Sequence, residues 1–179
     1  MGGKVATLLA WASLQIRAKG PELFVGGTMT DDREGRTTAV GLYNYGHSYH
    51  EAARALSVAK FRATHPASPL NYHYYHAIEL FLKAYLRTHG HTFDDLERRF
   101  RHDIKKMRKR VIELGFDFQD EDLVVLAYME QTPVVINSRY ISKGLCSRPS
   151  TEALERTATS LRFTTHAAVG QISEVRLLQ

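Results

Sequence analysis

An all-α up-and-down bundle of about five helices is what this sequence predicts, and three observations predict it. Apolar residues recur at steps of three and four along most of the chain. Short turn signals rich in Gly and Pro separate those stretches. The one β-like run, Val134-Val135-Ile136, has no second run to pair with. Helices joined by short connections bury their apolar stripes against one another, which is the bundle solution.

The first predicted helix spans 37–61, with Leu42, Tyr45, Tyr49, Ala52 or Ala53, and Leu56 on one side. Gly41 and Gly46 are its weak points. His65-Pro66-Ala67-Ser68-Pro69 reads as a turn, with Ser68 as cap and Pro69 in the first helical position of a second helix over 69–88. Gly90 closes that helix. A third covers 93–114 as one piece and ends at Gly115; Phe100, Ile104, Met107, Val111 and Leu114 form its seam at steps of four, three, four and three. A fourth covers 119–131, opened by Asp120, Glu121 and Asp122, which suit the positive end of a helix, and closed by Pro133. Residues 134–149 read as an ordered loop. The last helix runs over 150–178, where Leu154, Ala158, Leu161, Thr165, Ala168, Ile172 and Val175 make a near-heptad seam. That seam is long enough to offer a homodimer face.

Residues 1–28 read as an N-terminal appendage or extended start, and 29–179 as one domain. Val5–Leu14 has the outline of a secretory leader but a minimal basic flank. Ala6 stands where an N-myristoylation signal requires Ser or Thr. No apolar run reaches the roughly 20 residues that cross a bilayer, and one cysteine, Cys146, rules out an internal disulfide. A cytoplasmic protein is expected. With net charge +5 in 179 residues and a pI near 9.4, polyanions are the favoured partners. The charge concentrates between Arg98 and Arg110, where eight Lys or Arg residues surround the single acid Asp103.

Two constellations stand out. His76, Glu79 and Lys83 share one helical face, either as a ligand-binding stripe or, for Glu79 and Lys83, as an ordinary ion pair. Arg98, Arg101, His102 and Asp103 form the second. A histidine beside arginines can act as general acid or base while the arginines stabilise a phosphorane, since RNA supplies its own 2′-hydroxyl nucleophile; alternatively this is a solvated basic face with Asp103 as a cap. Lys105 and Lys109 extend the basic surface, and Arg139 and Tyr140 are the loop residues best placed to reach a pocket. Tyr72, Tyr74 and Tyr75 can stack on bases or pack the core. Paired histidines such as His73 and His76 lack the further ligands that a metal site needs, so neither metal nor cofactor is expected.

The Pro-led helix HAIELFLKAYL, the turn His89-Gly90, the following HDI, a helix ending in ELGF and a later NSRYI together resemble the HEPN superfamily over about 42–172. The resemblance implies a compact helical bundle, frequently a homodimer, that binds RNA or nucleotides. Many members are metal-independent endoribonucleases of toxin–antitoxin or other defence systems, some paired with a nucleotidyltransferase-type partner protein. Their Arg-x(4–6)-His motif is not matched. Arg98 with His102, and Arg162 with His166, have three intervening residues and fall one short. That departure tilts the expectation toward a non-catalytic RNA- or nucleotide-binding domain. The alternatives are a metal-independent endoribonuclease with catalytic His102, Arg98 and Arg101 at a variant site, and a dimerisation or interaction module.

Overall fold

A computed structural model of the chain describes residues 32–59, 62–131 and 148–177, with side chains over 34–59, 62–131 and 148–170. The appendage 1–28, the VVI run, Arg139, Tyr140 and Cys146 lie outside the described residues. All regular structure among the described residues is helical: α1 (Asp32–Arg36), α2 (Ala39–Val58), α3 (Ala67–Thr88), a π-helical turn (Asp95–Phe100), α4 (Ile104–Glu113), α5 (Asp120–Gln131) and α6 (Thr151–Leu177). None is long and apolar enough to cross a membrane.

Helix α3 is the axis of the molecule. From Ala77 to Leu86 every residue except Lys83 is buried, because α2, α4 and α6 all pack against it and a helix surrounded by neighbours has no water-facing side. Phe100, Ile104, Met107 and Val111 enter the same core as Ile78, Leu82 and Tyr85, with Leu114 packed on its edge. Leu154, Ala158, Leu161 and Thr165 are fully buried, so the first half of the long seam is spent inside the chain; Ile172 and Val175 lie beyond the described side chains. Arg108 pairs with Glu130 across α4 and α5, and buried Asp122 accepts a 2.7 Å hydrogen bond from Ser160 on α6.

The helix ends follow local chemistry. Thr38 caps α2 by accepting from Gly41 N–H, and Ser150 caps α6 by accepting from Ala153 N–H. Gly90 and Gly115 take φ of 85° and 89°. Each donates to the carbonyl three residues back while the next residue donates five back, to Leu86 and Val111, the double bond of a Schellman ending.

Three expectations are corrected. Helix α3 begins at Ala67 with Pro66 at its cap and no side-chain capping bond, so Ser68 is not the cap. In α2 the buried stripe is Gly46, His50 and Ala53, while Tyr45 is 68% exposed. The phase is turned by one residue because a Cβ on Gly46 would meet the Phe81 ring at 2.8 Å; the two backbones approach where the side chain is missing. The third correction concerns 93–114, which is not one helix.

Candidate functional site

The break in that segment builds the site. Thr92 opens a first turn through a reciprocal cap: its hydroxyl accepts from Asp95 N–H and the Asp95 carboxylate accepts from Thr92 N–H. The Thr92 amide bond and the neighbouring His91 hold the Asp95 carboxyl below its usual range. The turn widens to π geometry, closing with Arg101 N–H on the Leu96 carbonyl. Arg101 then takes φ 51°, ψ −111°, and Asp103 N–H bonds the Phe100 carbonyl at 2.8 Å. This is the first central position of a type II′ turn, normally glycine. Asp103 caps α4 by accepting from Lys106 N–H at 3.0 Å. Partial burial raises its carboxyl, but the hydrogen bonds and charge of Lys106 prevail and leave the net shift downward. Leu96, Phe100 and Ile104 remain buried across the interruption, which is why apolar spacing alone reads through it.

The turn presents His102 to α3. Its Nδ1 lies 2.9 and 3.0 Å from the two Glu79 carboxylate oxygens, and the Lys83 ammonium donates to Oε1 of the same carboxylate at 2.6 Å. Glu79 is 1% exposed, whereas the His102 side chain is 40% exposed. A carboxylate only accepts, so Nδ1 carries a hydrogen and Nε2 is the ring nitrogen left for a ligand. Lys83, Arg98, Arg101 and His102 line one cleft of about 390 Å³, with Leu42, Leu80 and Glu97 also on its walls. The Arg87 side chain fixes its far end: it donates to the carbonyls of Thr37, His91 and Glu34 and pairs with the Glu34 carboxylate. That carboxylate also accepts from Phe93 N–H, and Thr37 and Phe93 are both cleft residues.

The structure thus brings together Glu79, Lys83, Arg98, Arg101 and His102, and places Asp103 at the supporting cap. It does not bring in His76, which packs edge-on to Tyr49 at 4.3 Å and parallel to Tyr72 at 5.9 Å. Tyr74 and Tyr75 are core residues. The basic block is not one cationic face. Arg98 pairs with Asp94, Lys106 with Asp103, Arg108 with Glu130 and Arg110 with Glu113, and Arg99 lies over the Phe100 ring. Lys105 and Lys109 are exposed on α4, outside the cleft. Sequence reasoning missed Leu42, Leu80 and Glu97 as cleft walls and Arg87 as its anchor; nothing in local spacing marks them. Among the described residues no three His, Cys, Asp or Glu side chains converge as a metal site requires. Comparison with family models, characterised proteins and solved structures found no match for this chain.

Proposed function

We propose that the chain is a HEPN-like domain that binds RNA or a nucleotide through a phosphate seated in the Lys83–Arg101–His102 cleft. The observation behind this reading is the convergence of three cationic side chains and one imidazole on a single cleft. Glu97 on the wall, and the pairing of Lys83 and Arg98 with Glu79 and Asp94, make the cleft a set of directed donors more than a pool of net charge. Arg101 has no carboxylate partner among the described residues, so it is the cation with all its donors available to a phosphate. Fluorescence anisotropy with a short RNA tests the reading: Arg101→Glu should abolish most of the binding. Undiminished binding by that variant would place the strand outside the cleft, and no salt-dependent RNA binding by the native chain would leave the interaction-module alternative.

The Glu79–His102 contact favours a second reading, a metal-independent endoribonuclease. In it His102 Nε2 takes the proton of a 2′-hydroxyl as its oxygen attacks phosphorus. The 5′-oxygen leaves with a proton from the medium, and Arg101 faces the phosphorane. Glu79 orients the ring. RNA cleavage that survives a chelator, disappears in His102→Ala and falls in Glu79→Gln, with binding retained, selects this reading. Binding without cleavage by the native chain selects the first.

A further inference from the structure

A cluster of four half-buried rings sits on α2 and α3, the helices that also carry Leu42, Leu80 and Lys83 of the cleft, and has no part in the site. Tyr49 on α2 and Tyr72 on α3 each meet both His73 and His76 of α3, with ring centroids 4.3–5.9 Å apart. Tyr74 and Tyr75 are buried, whereas these four stay partly exposed. Tyr72, His76 and Lys83 stand at steps of four and seven on α3 and therefore share one stripe of its surface. Leu42 and Tyr49, seven apart on α2, likewise share a stripe. On both helices, then, the cluster follows in register on residues that line the cleft: Leu42 on α2, and Leu80 and Lys83 on α3. Seven helical residues separate His76 from Lys83, roughly 10 Å of axial rise.

We propose that this cluster is a base-stacking subsite, and that the ligand of the cleft is a single strand several nucleotides long, not a mononucleotide. The inference rests on the phosphate-binding reading of the cleft. A strand whose phosphate meets Arg101 and Lys83 and that follows α3 toward its N-terminus carries its neighbouring bases over these rings, and the π face of a partly exposed ring accepts any base. His73 adds polarity. Its Nδ1 donates to the Pro69 carbonyl at 2.7 Å, and that carbonyl can only accept, so Nε2 of the neutral ring is an acceptor suited to an exocyclic amine. A double helix would not serve, because its bases present edges, not faces, to such rings.

The test compares three probes on the full chain: a mononucleotide, a short single-stranded RNA with 2-aminopurine at successive positions, and the same strand with abasic sites. The intact strand should bind at least tenfold more tightly than the abasic one, with 2-aminopurine quenched at one or two adjacent positions. Tyr72→Leu, which keeps apolar packing against the core, should lose about tenfold in strand affinity and the quenching, while mononucleotide binding stays unchanged; Tyr72→Phe should retain both. Equal affinity for intact and abasic strands, both lost in Arg101→Glu, would overturn the subsite and leave the cleft reading standing. Binding of every probe unaffected by Arg101→Glu would overturn both.

Discussion

Arg101 occupies backbone space that a side chain other than glycine takes only at a cost, about 1–3 kcal/mol for such sparsely populated conformations. Its φ of 51° is retained where Glu79, Lys83 and His102 meet, and the same turn that is strained delivers the imidazole to the buried carboxylate. Stability and ligand binding should therefore part company at this residue. Arg101→Gly is expected to leave unfolding stability unchanged or raised by up to about 1 kcal/mol, while weakening RNA binding; denaturant melts alongside anisotropy check both halves. His50 behaves differently. Burial pushes its pKa down to about 4, against the opposing pull of Glu51 and with smaller contributions from Arg162, Arg54 and His47, and its Nε2 meets the Thr159 hydroxyl at 3.2 Å. The unfolded chain takes up this proton near 6.5 and the folded chain refuses it until about 4, so between those values the unfolded state binds more protons. The stability contributed is complete above pH 6.5 and falls as pH drops toward 4, by on the order of 3 kcal/mol. Urea midpoints measured across that window should fall for the native chain and flatten for His50→Gln.

Helices α2 and α3 are held at a distance that one missing side chain permits. Adding a methyl at Gly46 gains about 1 kcal/mol of helix propensity but drives a Cβ to within 3 Å of the fully buried Phe81 ring, and overpacking of this kind costs about 1–3 kcal/mol. Gly46→Ala should lower the unfolding midpoint and shift the Leu42–Tyr49 stripe of α2, weakening binding as well. Gly170→Ala on α6, where an added Cβ meets nothing within 4 Å, should instead raise stability by up to about 1 kcal/mol. The pair of thermal melts separates close approach from propensity. Opposite signs are expected, and a stabilised Gly46→Ala would refute the packing argument.

Across the whole molecule the basic block contributes less than its count of charges suggests, because carboxylates from its own turns and from α5 are in contact with half of it. On the proposed RNA-binding reading, two or three phosphates at about −0.7 each should give a slope of log affinity against log salt of about −2 for single-stranded RNA. Reversing Arg98 and Arg101 should flatten that slope further than reversing Lys105 and Lys109, which lie outside the cleft. Equal effects would mean that diffuse charge, not the cleft, holds the strand. The helical class, the apolar seam of α4, the closures at Gly90 and Gly115, the acidic first turn at Asp120–Asp122 and the cap at Asp103 were legible in the sequence, since each depends on residues within a turn or two of one another. The Glu79–Lys83 contact was equally legible, at four residues' separation. Contact between Glu79 and His102, the exposure of Tyr45 and the diversion of His76 to Tyr49 were not, because each depends on where a second helix lies. Local sequence thus determined which segments are helices and which faces are apolar. Tertiary packing decided that a segment read as one helix bends at Arg101, since core burial of Leu96, Phe100 and Ile104 tolerates the break and the break is what turns His102 onto a carboxylate 23 residues away.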